Sequence, residues 1–193
     1  MATDTKPLSA LGLTATRGGD AAVTGVSLDS RTVERGHLFA ALPGSRVHGA
    51  EFIQYALRQG AGVILTDRAG AEIAATELAA SDASLVVVED PRAAFARACA
   101  LWFGAQPETM VAVTGTNGKT SVASFTRQIW AAMGHEAANI GTTGVEGAFS
   151  APGIHTTPDP LTLHRLLSDM AAAAIGHCSM EASSHGLDQR RME

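Results

Sequence analysis

Short apolar runs alternate with Ala-rich amphipathic stretches along the first ninety residues. The runs at 23–28, 38–42, 63–66 and 85–88 have the length and branched apolar content of strands, and 50–59 has helical periodicity. Asp90-Pro91 then supplies a helix start, with Asp as capping acceptor and Pro where no N–H is needed, and this helix is predicted to run to about Phe103. The pattern describes a small α/β module.

A second module begins after the break at 104–108. An apolar strand at 110–113 leads into Thr-Gly-Thr-Asn-Gly-Lys-Thr-Ser and a helix over 119–133, which Gly134 closes. A strand at 137–141 and a Pro/Gly-containing loop at 150–158 follow, and Asp159-Pro160 repeats the cap-and-proline signal. The next helix places Leu163, Leu166, Leu167, Met170 and Ala174 on one face, the spacing of core packing, and 177–181 reads as a strand. Strand and helix alternate as in a doubly wound parallel sheet. The expected division is 1–104 and 105–193. Three strands leave a sheet edge uncovered, so the sequence is expected to be truncated.

Composition narrows the function classes. With 46% hydrophobic residues and 20 glycines, the chain has the make-up of an ordinary α/β protein, and its 193 residues allow one large or two small domains. A net charge of −5 without any Lys/Arg cluster excludes a sequence-independent nucleic-acid surface and a polybasic membrane surface, leaving a small molecule as the expected partner. Cys99 and Cys178 fall in a predicted helix and strand, so buried reduced thiols are expected. The N-terminus has no long apolar run, which makes the cytoplasm the expected location. A monomer is the default expectation.

The strongest chemical signal is Gly115-Thr116-Asn117-Gly118-Lys119-Thr120-Ser121, set between a strand and a helix. Glycines let successive N–H groups turn inward and the helix N-terminus adds partial positive charge, a combination that holds phosphate oxygens. Lys119 is the expected catalytic cation, reaching the outer phosphates of ATP, and Thr120 is the expected contact to Mg²⁺. Val113 stands where the common phosphate-loop pattern has its first glycine, and Lys119 is one of two lysines, the other being Lys6 in the N-terminal tail.

The segment from Thr114 to Thr120 resembles the loop of the Mur ligase superfamily, which also contains folylpolyglutamate synthases. Its members couple ATP hydrolysis to amide formation through an acyl phosphate. Met180-Glu181-Ala182-Ser183-Ser184-His185-Gly186-Leu187 is similar to a stretch of the UDP-N-acetylmuramoyl-tripeptide synthetases. The resemblance implies a uridine-binding N-terminal domain followed by the first part of an ATP-binding domain. Glu181, a hard oxygen donor at a strand end, is a candidate Mg²⁺ ligand beside Thr120. Thr156 and Thr157 match a segment that contacts the muramoyl-peptide substrate, and Ser183, Gln189 and Arg191 would contact its sugar or peptide part. Read from the residues alone, the two threonines fit turn and capping roles equally well. Asp159 is expected to cap the next helix, and His185 to hold its loop by hydrogen bonds.

In the first module Ser27-Leu28-Asp29-Ser30-Arg31 and the segment 36–41 resemble the family's uridine-binding domain. The resemblance assigns Leu28 to the base, Ser30 to uracil or diphosphate oxygens, and Ser45, Arg46 and Val47 to a nucleotide-touching loop. Without it, residues 29–31 are simply a turn after a strand. The activity implied is addition of an amino acid, diaminopimelate or L-lysine, to UDP-N-acetylmuramoyl-L-alanyl-D-glutamate. The amino-acid-binding C-terminal domain and a carbamylated lysine of the family are expected beyond residue 193, so no turnover is expected of this chain alone. A folylpolyglutamate-synthase-like ligase and a non-catalytic UDP-sugar-binding fragment are the alternatives. No histidine pair has zinc-site spacing, and the Gly-x-Ser-x-Gly pattern of a serine hydrolase is absent.

Overall fold

Lys6 is not part of a loose tail: Lys6–Pro7 (β1) pairs antiparallel with Ala22–Val23 (β2), with a 3-10 turn at Leu8–Leu11 between them. The computed structural model describes residues 5–152 and 156–193. The chain divides into two units, Met1–Trp102 and Phe103–Glu193.

The first unit is built on a four-stranded parallel sheet. Its strands are Val26–Ser27 (β3), Leu38–Ala40 (β4), Val63–Thr66 (β5) and Ser84–Val87 (β6), in the order β3-β4-β5-β6. The run at 23–28 is therefore two strands in two sheets rather than one. The helix expected over 50–59 is a 3-10 turn, Gly49–Phe52, continued by Ile53–Arg58 (α1), and Arg68–Ile73 (α2) and Ala75–Ala79 (α3) fill a stretch that had no assignment. Ile53 and Ala56 of α1 join Phe39, Ile64 and Leu78 in one buried cluster. Pro91–Phe103 (α4) begins after Asp90, whose carboxylate accepts the Ala93 N–H at 3.0 Å as its capping position predicted, and it runs to Phe103 as expected. Lys6 Nζ donates to the carbonyls of Leu101 (3.0 Å) and Trp102 (2.7 Å) and lies over the Trp102 ring, so a cation sits at the negative end of α4.

The second unit contains Thr109–Val113 (β7), Lys119–Ala132 (α5), Ala137–Gly141 (β8), Gly144–Gly147 (β9), Ala151–Pro152 (β10), Pro160–Ala172 (α6), His177–Glu181 (β11) and Ser184–Asp188 (α7). The sheet has five strands, not three, in the order β10-β9-β8-β11-β7. Strands β8, β11 and β7 are parallel, as expected; β9 and β10 add an antiparallel flank. Part of the loop expected over 150–158 is thus strand, and 153–155 lie outside the described residues.

Alternation along β11 explains the layers. Cys178 and Met180 pack with Leu163, Leu167 and Met170 of α6. Ser179 points to the other face, where its hydroxyl donates to the Ala123 carbonyl of α5 at 2.7 Å. Helices therefore cover both faces of β8 and β11, while β7 at the sheet edge stays partly exposed. Both cysteines are buried and unbridged, and burial pushes the Cys178 thiol up to about 12. Helix α5 buries Ala123 but leaves Val122, Phe125, Ile129 and Met133 at least half exposed, an apolar stripe on its outer face. Among the described residues no helix is long and apolar enough to cross a membrane.

Candidate functional site

In the second unit the chemistry gathers at the C-terminal ends of the parallel strands. Strand β7 runs into an open loop, and residues 114–118 are all exposed. Gly115 (φ +144) and Gly118 (φ +80) both hold left-handed backbone that a side chain would strain, and Gly118 is the residue from which α5 starts. No side chain caps that helix start, which leaves its N–H groups free for an anion. Lys119 Nζ donates to the Gly115 carbonyl at 2.7 Å, so the cation folds back over the loop it belongs to. Thr116, Asn117 and Ser121 are exposed around it.

Glu181 ends β11, the neighbour of β7, and the parallel register pairs it with Val113. The residue is 2% exposed. Oε1 accepts from the Thr120 hydroxyl and from the Thr142 N–H, each at 2.9 Å. A carboxylate and a hydroxyl side by side form a hard-oxygen pair suited to Mg²⁺, an ion that retains waters and takes phosphate oxygens as further ligands. Among the described residues no group of three His, Cys, Asp or Glu forms a self-sufficient metal cage. The Thr120 hydroxyl and the Glu181 carboxylate fit an ion that draws its remaining ligands from water or phosphate. Gly141 on β8 makes room for this carboxylate, since a Cβ there would lie 2.2 Å from Glu181 Oε1.

Five residues predicted to contact substrate meet beside Glu181. Thr157 is 1% exposed; its Oγ1 accepts the Ser183 N–H at 3.0 Å and donates to the Glu181 carbonyl at 2.9 Å. Ser183 Oγ, 3.1 Å from that hydroxyl, caps α7 by accepting the Gly186 N–H at 3.0 Å. Ser183 is thus a helix cap, while Thr157 makes a long-range link, and together they lock the segment after β11 to the segment before α6. Thr156 stays at the rim, 3.0 Å from the Thr142 hydroxyl. Arg191 donates to the Thr157 carbonyl and forks onto Gln189 Oε1 at 2.7 and 3.0 Å, while Gln189 Nε2 lies 2.9 Å from His185 Nε2. Asp159 caps α6 through the Thr162 N–H at 3.0 Å, as its position before Pro160 predicted.

The first unit carries a cleft of about 810 Å³ at the C-terminal ends of β3 and β4. Leu28, Ser30 and Val47 line it; Ser45 and Arg46 do not, standing exposed on the same loop. Asp29 shapes the turn that presents Ser30: its carboxylate accepts the Arg31 N–H at 2.9 Å and pairs with the guanidinium at 2.6 Å. Those hydrogen bonds hold Asp29 below the usual carboxylate range.

Sequence reasoning missed Phe52, Tyr55 and Gln59, which line the same cleft from one side of α1 and the turn before it. Phe52 and Tyr55 are 44% and 56% exposed. Their spacing was the available signal, since with Ile53 and Ala56 in the core, positions 52, 55 and 59 share the outward face.

Two family descriptions match the chain: "Mur ligase family, catalytic domain" over residues 22–102 and "Mur ligase middle domain" over residues 113–193. The UDP-N-acetylmuramoyl-L-alanyl-D-glutamate–2,6-diaminopimelate ligase of Brucella melitensis is 53% identical over 178 residues, covering 91% of this chain and 35% of the relative. The enzyme of that name from Mesorhizobium japonicum is 49% identical over 183 residues, covering 92% of this chain and 36% of the relative. The chain thus spans about a third of the length of the curated relatives it matches. A solved structure of a ligase of the same name superposes with a TM-score of 0.74 at 30% identity, over 98% of this chain and 38% of the other. The MurF ligase of Thermotoga maritima, solved with ADP, shares the fold at a TM-score of 0.51 and 22% identity, over 82% of this chain and 32% of its own. With its two halves matched in order by the two Mur ligase domain descriptions, this chain belongs to the Mur ligase family.

Proposed function

We propose that the chain forms the UDP-substrate-binding and ATP-binding part of a cytoplasmic amide ligase. The reaction joins a diamino acid, diaminopimelate or L-lysine, to the γ-carboxylate of UDP-N-acetylmuramoyl-L-alanyl-D-glutamate, activated as an acyl phosphate. The observation that carries the reading is the meeting of Thr120 and Glu181 beside the open glycine loop, with Thr156, Ser183 and Arg191 on adjoining segments. Curated relatives of the diaminopimelate-adding name, near 50% identity, favour diaminopimelate over lysine.

Each group has a defined task. The free N–H groups at the start of α5 bind phosphate oxygens. Lys119 leaves the Gly115 carbonyl and neutralises charge on the transferring phosphoryl group. Thr120 and Glu181 would hold Mg²⁺, which would supply further neutralisation of phosphate charge. Leu28, Ser30 and the loop carrying Ser45, Arg46 and Val47 bind the uridine diphosphate end, while Thr156, Gln189 and Arg191 orient the muramoyl-peptide end. The test is ATP binding by the intact chain in the presence of Mg²⁺, measured by calorimetry with folding checked by circular dichroism. The wild-type chain binds saturably and Lys119→Ala loses most of the affinity; equal binding by the two refutes the assignment.

A further inference from the structure

The loop that carries Ser45, Arg46 and Val47 is anchored at both ends to one place, the C-terminal end of β5. At its start, Thr66 Oγ1 donates to the Ala41 carbonyl at 2.8 Å, and the Ala41 N–H donates to the Leu65 carbonyl at 2.8 Å. At its end, His48 Nε2 lies 3.1 Å from Asp67 Oδ1, with the two side chains only 15% and 21% exposed. The loop closes on itself through the Gly49 N–H, which donates to the Leu42 carbonyl at 2.8 Å.

The tautomer of His48 follows from its other nitrogen. Nδ1 accepts the Ala50 N–H at 3.0 Å, so the proton of the neutral ring sits on Nε2 and is donated to Asp67. The same Asp67 oxygen accepts the Gly70 N–H at 2.7 Å and caps α2. Residue 70 has to be glycine for this arrangement: a Cβ would lie 2.0 Å from Thr66 Oγ1 and 2.6 Å from His48 Cε1. Both the β5 anchor and the missing side chain at 70 therefore converge on the His48 ring.

Neither His48 nor Asp67 lines the cleft, whereas Leu42, Val47 and Gly49 do. The geometry points to His48 and Asp67 as a positioning pair that sets the nucleotide loop and thereby the affinity for the uridine diphosphate end of the substrate, without touching it. This rests on the functional reading above, in which that cleft takes the nucleotide.

The intact chain tests it with two readouts: amide hydrogen exchange at Gly49 and Ala50, and calorimetric affinity for UDP-N-acetylmuramoyl-L-alanyl-D-glutamate. His48→Ala speeds exchange at both amides and weakens the affinity roughly tenfold, about the worth of one hydrogen bond. Asp67→Ser keeps a cap on α2 but cannot reach the ring, so it gives the same two changes even if His48→Ala fails to fold. His48→Gln, which restores a donor toward Asp67, recovers part of the affinity, and Mg²⁺-ATP binding stays unchanged in all three. Wild-type binding matched by His48→Ala and Asp67→Ser, or unchanged exchange, overturns the positioning role alone. A wild-type chain that binds Mg²⁺-ATP but no uridine ligand overturns the functional reading, and the positioning role falls with it.

Discussion

Thr120 Oγ1 and Glu181 Oε1 stand 2.9 Å apart although 61 residues separate them in the sequence. The parallel pairing of β7 with β11 brings the end of one strand beside the end of the other, and the glycine loop and the carboxylate arrive together because the loop follows β7 directly and Glu181 ends β11. Glu181→Gln keeps an oxygen for the Thr142 N–H but removes the charge. We expect a folded protein whose ATP affinity no longer responds to Mg²⁺; a titration with and without the ion reads this, and an undiminished response contradicts the assignment.

Gly141 bears on the same carboxylate. A methyl group 2.2 Å from Glu181 Oε1 forces that buried side chain to move. Gly141→Ala is expected to cost about 1–3 kcal/mol of stability, as overpacking does, and to weaken Mg²⁺-dependent nucleotide binding. Urea unfolding and calorimetry on one sample check both; a variant as stable and as tight-binding as wild type would show that the close approach is not needed.

Tyr55 is the chain's one tyrosine and projects, 56% exposed, from the wall of the first-unit cleft. Tyr55→Ala should leave stability within about 0.5 kcal/mol, as surface changes do. It should also weaken the uridine ligand by an amount that base stacking on an aromatic face explains, about 1–3 kcal/mol. Tyr55→Phe should bind like wild type. An alanine variant with undiminished affinity removes Tyr55 from the binding surface.

His164, on the buried face of α6, is 8% exposed, with Nε2 buried and without a hydrogen-bond partner. Burial lowers its pKa below the ordinary 6.5, so the folded protein keeps it neutral while the unfolded chain takes up a proton. Its contribution to stability is therefore complete above pH 6.5 and is lost as the pH falls from there toward the lower folded value. His37, also lowered by burial, acts in the same sense in the first unit. Unfolding measured at pH 8 and at pH 5.5 should show a smaller acid loss in His164→Leu than in wild type; equal losses would place the acid sensitivity elsewhere.

What the sequence disclosed follows the strength of its local signals. The strands at 110–113, 137–141 and 177–181 and the helices after Asp90 and Asp159 were legible because apolar runs and capping pairs state them directly. Strands β9 and β10 were not, since Gly144–Gly147 and Ala151–Pro152 contain Gly, Ala and Pro and exist only by pairing with β8 and with each other. The split of 23–28 into two sheets was hidden for the same reason, because its partner strand, Lys6–Pro7, lies well back in the chain. In the site, the glycine loop announced itself, but the nearness of Glu181 needed the resemblance or the register. Phe52, Tyr55 and the His48–Asp67 link were missed because their meaning depends on which face of a short helix meets the core and on a contact between separate loops.

The most direct test of the account is a calorimetric titration of the folded chain with UDP-N-acetylmuramoyl-L-alanyl-D-glutamate, followed by ATP and Mg²⁺. Both are expected to bind saturably, with Ser30→Ala weakening the first ligand and leaving the second unchanged. A well-folded chain that binds ATP but not the uridine ligand would contradict the proposed substrate.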